Sequence, residues 1–311
     1  MKKFNLNNLH YLWTRSLEVI KKNGLKTFIK KIFNFIFFSN KIDLDALEIR
    51  KDSTLDDFFI KFGSDKGSVD SKKTYDTLYK NSNEQKFKNY LDWINRKNPN
   101  DYDYQLGLDS AAIYNKFFST RRMDKLKILE IGVANGHSIA SWHHYFPNSN
   151  IYGIDNKKPY KFFYKSKRVK YFEIDIFDKK KIKSFIEQHG RFDFIIDDSL
   201  HEAHAMLTNI INFYPALKPN GSYFLEDFRS IDNAKEAIVN YNLKHNKKLF
   251  GESPLSIKDI FTNINDKKLF NHKMIDKKSL EYIFKTTKNT EIIYQDHPWA
   301  AIAILHKNEN D

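Results

Sequence analysis

The segment LKILEIGVANG at residues 126–136 decides the predicted fold. Its first part is a short apolar run of the kind that forms a buried strand. Gly132 and Gly136 mark a turn directly after that run. A helical stretch follows from His137 to Phe146. This succession of strand, glycine turn and helix is typical of the first unit of an α/β sheet.

The alternation of short apolar runs and helical stretches continues along the chain. We predict Pro219-Asn220-Gly221 to be a turn before the fifth strand. Strands alternating with helices of this length predict an α/β fold, a doubly wound Rossmann-like parallel sheet covered on both faces. After the first strand, strands are expected at 151–155, 169–175, 192–198 and 222–227, helices at 178–189 and 202–217, and an edge antiparallel pair at 291–295 and 300–305.

The composition excludes several classes of site. The chain has 311 residues and no cysteine, which removes disulfides, thiolate metal sites and cysteine nucleophiles. Its net charge is +13, but only eight of the 52 cationic residues are arginine. Arginine is the preferred residue for bidentate recognition of phosphates and bases. We therefore expect no nucleic-acid partner.

The N-terminal part of the chain is strongly basic. Residues 1–40 carry eight cations and one acid, ahead of the apolar run Ile32 to Phe38. A basic helix with an aromatic end, as this segment would form, can lie on an anionic membrane surface. The alternative is a helix that packs on its own domain or on a second copy in a homo-oligomer. No run is long enough for a membrane span, and we expect a cytoplasmic protein, with residues 1–40 as its candidate contact with the inner membrane face.

Each predicted strand of the parallel run ends in an acidic residue. Ligands of doubly wound sheets bind outside the carboxyl ends of the strands. Clustered carboxylates repel one another unless a cationic group is bound between them. The pattern therefore predicts a site that holds cations at this edge. The residues are Glu130, Asp155, Asp175, the pair Asp197 and Asp198, and the pair Glu226 and Asp227.

The first turn differs from a dinucleotide-binding fingerprint. It reads Glu130-x-Gly132-x-x-x-Gly136, where the fingerprint would have three glycines in the order G-x-G-x-x-G. An acid at the entrance of the turn would repel a pyrophosphate but can hold a cationic group. Asp155, at the end of the second strand, is placed to accept hydrogen bonds from ribose hydroxyls.

In these residues the chain resembles class I S-adenosylmethionine-dependent methyltransferases. The resemblance implies that Glu130, Gly132 and Gly136 border the methionine part of the cofactor. It also places Asp155 at the ribose, and Asp175 with Ile176 at the adenine. The full set of expected cofactor-binding residues is Glu130, Gly132, Asn135, Gly136, Ser138, Asp155, Asp175, Ile176 and Asp197.

A narrower resemblance is to the mycinamicin-type sugar O-methyltransferases. It rests on the segments SWHHYFP at 141–147, DDSLH at 197–201, LED at 225–227 and FGSDKG at 62–67. It implies a site for Mg²⁺ or a similar divalent cation at Asp198, Glu226 and Asp227, whose carboxylate oxygens suit a hard cation. It also implies that His201, three residues after Asp198, is the general base.

The chain departs from this family in two places. The family has Gly-Ser where this chain has Ser199-Leu200, and the segment between Gly67 and Lys125 is longer here. The extra residues leave open whether Tyr75 or Tyr114 matches the family's tyrosine. We therefore expect a basic helical extension at 1–55, a helical cap region with an insertion at 56–124 and a methyltransferase domain at 125–311.

The resemblance implies an enzyme that methylates a sugar hydroxyl in glycan, capsule or natural-product biosynthesis. Its cofactors would be S-adenosyl-L-methionine and Mg²⁺, and its partner a small-molecule or glycan acceptor. A hydroxyl is a weak nucleophile, so its methylation calls for a base, a Lewis acid or both. The alternatives are methylation of a phosphoramidate or other small capsule precursor, a cephalosporin-hydroxylase-like reaction, and an inactive accessory subunit.

Overall fold

The structure is a computed structural model that describes residues 41–48, 52–67, 110–158, 162–201, 203–228, 256–268, 270, 276–295 and 301–309. The candidate membrane segment 1–40 lies outside these residues, as do Tyr75, most of the insertion and the connection 296–300. In the described part of the chain, no helix combines the length and apolarity that crossing a membrane requires.

Nine strands and seven α-helices are described in these ranges. The strands are β1 (Ile42–Asp43), β2 (Lys127–Ile131), β3 (Asn150–Asp155), β4 (Tyr164–Lys165), β5 (Val169–Glu173), β6 (Phe192–Asp197), β7 (Leu217–Leu225), β8 (Thr287–Tyr294) and β9 (Ala301–Lys307). The helices are α1 (Leu55–Phe62), α2 (Ser110–Phe118), α3 (His137–Tyr145), α4 (Lys179–His189), α5 (Ala203–Phe213), α6 (Ile257–Asn265) and α7 (Lys277–Thr286).

Seven of the strands form one sheet in the order β5-β3-β2-β6-β7-β9-β8. The first five are parallel, and β9 pairs antiparallel with both β7 and β8. The order reverses between β2 and β6, which is the position where doubly wound sheets bind ligands. The predicted Rossmann-like α/β fold is confirmed, and so is the antiparallel pair at the edge.

The predicted turn at Pro219-Asn220-Gly221 is wrong, because these residues lie inside β7. Asn220 has a φ of +58°, and the pairing of β7 with β6 shifts register between Phe192 and Phe194. The left-handed residue and the shift produce an irregularity within one strand, where the sequence suggests a break between two elements.

Each face of the sheet is covered by helices with its own apolar core. The residues of α1, α2 and α3 pack on one face around Trp142 and Phe118, together with Ile128, Phe194 and Phe224 of the sheet. The other face carries α4, α5, α6 and α7 over strand residues such as Leu129 and Ile195. Alternate residues of a strand point to opposite faces, so near-continuous apolar strands serve both cores.

The first described residues are tied to the same body. Strand β1 pairs in parallel with β4 in a separate two-stranded sheet. Asp45 follows β1, and its Oδ1 atom lies 3.1 Å from Nε2 of the buried His143 and accepts a hydrogen bond from Ser166 Oγ at 2.8 Å. Its Oδ2 atom accepts one from the Lys167 backbone at 2.9 Å.

Gly132 brings the ends of β2 and β6 into direct backbone contact. Its φ is +87°, and a Cβ atom at this position would lie 2.1 Å from the carbonyl oxygen of Asp198. Neither the φ nor the contact is compatible with a side chain. Gly190 also has a positive φ, +72°, but an added Cβ would meet only Lys127 Nζ, at 3.5 Å.

We therefore expect Gly132→Ala to lower the free energy of unfolding by about 3 kcal/mol or more, since backbone strain and overpacking each cost roughly 1–3 kcal/mol. Gly190→Ala is the matched control and should show the strain alone. Urea unfolding of both variants measures the difference. Equal losses for the two variants would contradict a steric requirement at Gly132.

Candidate active site

The turn after β2 is held by Asp155 at the end of β3. The Oδ2 atom of Asp155 accepts hydrogen bonds from the backbone N–H groups of Val133 at 3.0 Å and Ala134 at 2.9 Å. Its Oδ1 atom accepts one from Lys157 N at 2.9 Å. Asp155 therefore fixes the turn, and its contact with a ribose stays a prediction that would use its remaining lone pairs.

Glu130 is a fully buried carboxyl group at the base of the same turn. Among the described residues, no donor makes a hydrogen bond of good geometry to either oxygen. Burial raises the pKa of Glu130 to about 8, against the opposing effects of the Lys66 charge and of an interaction with the Ser138 side chain. A buried acid with so little of its hydrogen-bonding capacity used fits a cationic ligand group such as the ammonium of a bound methionine moiety.

The rest of the turn is packed tightly by aromatic residues. A Cβ atom on Gly136 would lie 3.0 Å from the hydroxyl oxygen of Tyr171. The carbonyl of Asn135 accepts a hydrogen bond from Phe163 N at 3.1 Å. Ser138, in the first turn of α3, is buried. Protein packing by itself thus requires both predicted glycines, and the cofactor contacts of these residues stay predictions.

The predicted adenine residues follow β5. Asp175 is exposed, and its Oδ1 atom accepts a hydrogen bond from Phe177 N at 2.9 Å. Ile176 is buried, whereas Phe177 is 43% exposed. An exposed aromatic ring beside a buried apolar residue offers a surface on which a flat base could stack.

Asp197 and Asp198 are adjacent in sequence but lie in different surroundings. Asp197 is buried and accepts hydrogen bonds from Tyr223 Oη at 2.6 Å, Ser199 Oγ at 2.8 Å and Asn209 Nδ2 at 2.9 Å. Burial raises its pKa to about 6, although these donors act in the opposite direction. The structure thus occupies the Asp197 carboxylate with internal partners, and its contact with the cofactor stays a prediction.

Asp198, His201 and Asp227 form a group with ligand atoms within 4.8 Å of one another. His201 Nε2 lies 3.7 Å from Asp198 Oδ1 and 3.8 Å from Asp227 Oδ2. The side chains of Asp198 and Asp227 are 22% and 23% exposed, so they remain accessible. Two carboxylates at this spacing fit a hard divalent cation such as Mg²⁺, which keeps several further positions for water or substrate.

Glu226, the third predicted metal ligand, is placed differently. It is buried, and its Oε2 atom lies 2.5 Å from Lys66 Nζ. Its Oε1 atom accepts a hydrogen bond from the hydroxyl of Tyr114. Lys66 Nζ also lies 2.6 Å from Asp198 Oδ2. The structure therefore brings Asp198 and Asp227 together with His201, while Glu226 belongs to a buried Lys66–Glu226–Tyr114 cluster.

Lys66 is a residue of the site that the sequence alone does not predict. Burial alone would lower the pKa of Lys66, but the charges of Asp198 and Glu226 outweigh it and hold that pKa well above its ordinary value. Lys66 is therefore an ammonium ion inside the acidic cluster. Its only signal in the sequence is the segment FGSDKG, because 132 and 160 residues separate Lys66 from its two partners.

Local sequence explains how Lys66 reaches this position. The apolar residues of α1 recur at helical spacing and are buried, and Thr54 caps its N-terminus in a capping box with Asp57. The helix ends at Gly63 in a left-handed conformation, which turns the chain toward the sheet. The carbonyl of Lys66 then accepts a hydrogen bond from Ser110 N at 3.0 Å, at the start of α2.

Comparison with known proteins finds similar methyltransferases over part of the chain. No protein-family profile matches it. It is 29% identical over 121 residues to mycinamicin VI 2''-O-methyltransferase of Micromonospora griseorubida, covering 37% of this chain and 30% of the relative. It is 30% identical over 121 residues to L-olivosyl-oleandolide 3-O-methyltransferase of Streptomyces antibioticus, covering 37% and 31%. The matches thus span about a third of each relative's length.

A third relative is a Streptomyces olivaceus rhamnosyl-tetracenomycin 3'-O-methyltransferase, 29% identical over 128 residues, with 38% of this chain and 31% of the relative covered. Among solved structures, a mycinamycin-pathway methyltransferase in complex with Mg, SAH and mycinamycin VI gives a TM-score of 0.49 at 20% identity, covering 65% of this chain and 50% of that chain. The resemblance of this chain to class I S-adenosylmethionine-dependent methyltransferases of the mycinamicin type is confirmed by its curated relatives, over about a third of their length.

Proposed function

We propose that this protein is an S-adenosylmethionine-dependent O-methyltransferase that methylates a sugar hydroxyl with the help of a divalent cation. The observation that carries the proposal is the contact between two subsites. The turn with the buried Glu130 touches Asp198 through Gly132, and Asp198 belongs to the group with His201 and Asp227. A methyl donor on the turn and an acceptor at the carboxylates would therefore be neighbours.

The donor side would use residues of β2, β3 and the turn. Glu130 would pair with the ammonium of the methionine part, and Asp155 holds the turn in its binding conformation. Asp175, Ile176 and Phe177 would bound the adenine. When bound, S-adenosylmethionine supplies a sulfonium methyl group as the electrophile. The protein then needs to orient the acceptor oxygen toward that methyl group and to take up the proton of the acceptor hydroxyl.

The acceptor side would use the ends of β6 and β7. Asp198 and Asp227 would hold the divalent cation, which when bound acts as a Lewis acid that makes the acceptor hydroxyl more acidic. His201 Nε2 lies between these carboxylates and the solvent and would accept the hydroxyl proton. Leu200 beside it and Tyr294 at the end of β8 are each about half exposed and offer apolar surface for the acceptor.

A sugar acceptor is supported by the names of two relatives, which give a rhamnosyl-tetracenomycin and an L-olivosyl-oleandolide as the methylated compounds. Phe228 directly follows Asp227, and Tyr294 is the last residue of β8. The centroids of their rings lie 6.3 Å apart. Phe228 is buried, so it is the half-exposed Tyr294 ring that offers the acceptor side an aromatic surface, against which the apolar face of a sugar ring can pack.

Glu130 makes donor binding dependent on pH. Because its pKa is about 8 in the free protein, most of the protein carries neutral Glu130 at pH 7. Pairing with the ligand ammonium requires the ionised form, so binding of S-adenosylhomocysteine at pH 7 should release close to one proton. Calorimetry in buffers of different ionisation enthalpy measures this number, which should fall toward zero at pH 9.

Glu130→Gln is the matched variant for this test. It should weaken binding by on the order of 1.5–3 kcal/mol, the range for a hydrogen bond to a charged group, and should abolish the proton release. Proton release that persists unchanged in Glu130→Gln would show that another group titrates. Failure of the wild-type protein to bind S-adenosylhomocysteine at all would overturn the proposed function.

The divalent cation should be required for transfer but not for donor binding. Incubation with EDTA should abolish methyl transfer to a nucleotide-sugar or glycan acceptor, and Mg²⁺ should restore it. Asp227→Asn should raise the Mg²⁺ concentration for half-maximal rate by roughly 10- to 100-fold, since it removes a charged ligand. Calorimetry should show unchanged binding of S-adenosylhomocysteine.

The control for this experiment is Glu173→Gln, which neutralises an exposed acid at the end of β5, outside the cation-binding group. Its Mg²⁺ dependence should match the wild type. Full transfer in the presence of excess EDTA would mean that Asp198 and Asp227 serve another purpose.

His201 as the base predicts a large loss of rate with little change in binding. His201→Ala should lower kcat by roughly 10²–10⁴-fold, the usual contribution of general base catalysis. His201→Gln preserves hydrogen bonding but cannot take up the proton, and it should lose a similar factor. Single-turnover transfer of a radioactive methyl group measures both variants. A variant with the wild-type rate would exclude His201 as the base. A variant that no longer binds Mn²⁺ would also exclude it, because the nitrogen would then be a metal ligand with no lone pair free for the proton.

A further inference from the structure

Lys66 places a permanent positive charge among the carboxylates at the strand ends. Its side chain is 1% exposed, and its Nζ atom lies 2.6 Å from Asp198 Oδ2 and 2.5 Å from Glu226 Oε2. The removal of an ammonium ion from water is costly unless charged partners compensate for it. These two carboxylates provide that compensation, so Lys66 and its partners form one electrostatic unit.

Both oxygens of Glu226 are occupied by donors of the protein itself. Lys66 contacts Oε2, and the buried hydroxyl of Tyr114 donates to Oε1. By contrast, Asp198 Oδ1 and Asp227 Oδ2 face His201, at 3.7 and 3.8 Å, and both aspartates are partly exposed. The carboxylates therefore divide into a buried, satisfied one and two that remain accessible.

We infer that Lys66 is a built-in cation that removes Glu226 from the metal-ligand set and leaves the divalent cation to Asp198 and Asp227. This inference rests on the metal-dependent part of the proposed function. Lys66 would act as a positioning residue, since it contacts the carboxylates and not the acceptor. It fixes Asp198 through Oδ2 and leaves Oδ1 directed toward the accessible side of the group.

Charge counting gives the inference its measurable consequence. Burial raises the pKa of Glu226, whereas the ammonium of Lys66 beside it favours the ionised carboxylate. With Glu226 ionised, Lys66 and the carboxylates of Asp198, Glu226 and Asp227 have a net charge of −2. The affinity for a divalent cation falls when nearby negative charge is removed and rises when nearby positive charge is removed. If Glu226 is not a ligand, it should affect the affinity for the divalent cation only through its charge. If it is a ligand, its loss should lower that affinity through lost coordination as well.

The test is a titration of the full-length protein with Mn²⁺, followed by the electron paramagnetic resonance signal of the free ion. Asp227→Asn should weaken binding by more than about tenfold, because it removes a ligand. Glu226→Gln should weaken it by about five- to tenfold, and Lys66→Met should tighten it by a similar factor, as expected for one charge near a divalent cation in a water-like dielectric. The double variant Lys66→Met/Glu226→Gln has the wild-type net charge, so its affinity should return to within about twofold of wild type.

Tyr114→Phe is the matched control, since it removes the second donor to Glu226 without a change of charge, and it should leave Mn²⁺ affinity unchanged. The inference is overturned if the double variant stays more than about tenfold weaker, which would identify Glu226 as a ligand. It is also overturned if Lys66→Met does not tighten binding, or if the wild type binds no Mn²⁺.

Binding of S-adenosylhomocysteine by calorimetry is measured on every variant and reports whether the site is folded. If Lys66→Met does not fold, the comparison of Glu226→Gln with Asp227→Asn decides alone, because equal losses of affinity overturn the inference. Binding of S-adenosylhomocysteine by the wild type tests the proposed function separately. A protein that binds this compound but fails the Mn²⁺ tests would retain its proposed methyl donor and lose only the ligand assignment.

Discussion

The backbone of Gly132 lies so close to that of Asp198 that no side chain fits between them. This contact joins the ends of β2 and β6, the two strands between which the sheet order reverses. The N–H group of Asp198 donates to the carbonyl of Ile131 at 2.9 Å, so the pairing of the two strands continues to their last residues. The turn after β2 and the carboxylates after β6 are therefore parts of one rigid edge.

The two acidic pairs at the ends of β6 and β7 each have one buried and one accessible member. Asp197 and Asp198 are neighbours, yet the first is saturated by Tyr223, Ser199 and Asn209 while the second remains partly exposed. Glu226 and Asp227 repeat this division, one buried and one accessible. Both pairs stand where a strand ends, since β6 ends at Asp197 and β7 at Leu225, and Asp227 has a φ of +54°. Each acidic pair thus supplies one buried and one accessible carboxylate.

The part of the chain before the sheet contributes directly to this edge. Lys66 follows α1, and Tyr114 lies in α2. Both helices pack on the face of the sheet that is also covered by α3 with its Trp142. Their burial against this face positions the ammonium and the hydroxyl at Glu226. The region that the sequence assigns to a cap therefore provides two of the polar contacts around the carboxylates.

The sequence by itself determined the order of the parallel strands β2, β3, β5, β6 and β7 and of the helices between them, because apolar runs of strand length alternate there with helical periods and glycine turns. It also indicated that acids gather at the carboxyl ends, since parallel strands bring those ends to one edge. It did not indicate the short strand β4. The pattern failed at Pro219 to Gly221, where turn-forming residues produce an irregularity inside β7. Turn propensity is local, whereas the pairing of Leu217 with Phe192 and of Ser222 with Phe194 keeps both flanks of the irregularity beside β6.

Only the tertiary structure decided which of the acids are buried. Sequence spacing treats Asp197, Asp198, Glu226 and Asp227 alike, because each follows a predicted strand. The distinction comes from residues far along the chain, namely Lys66, Tyr114, Asn209 and Tyr223. A buried charge is stable only where its compensating groups converge in space. That convergence depends on the packing of α1, α2 and α5 against the sheet, which no local pattern in the sequence specifies.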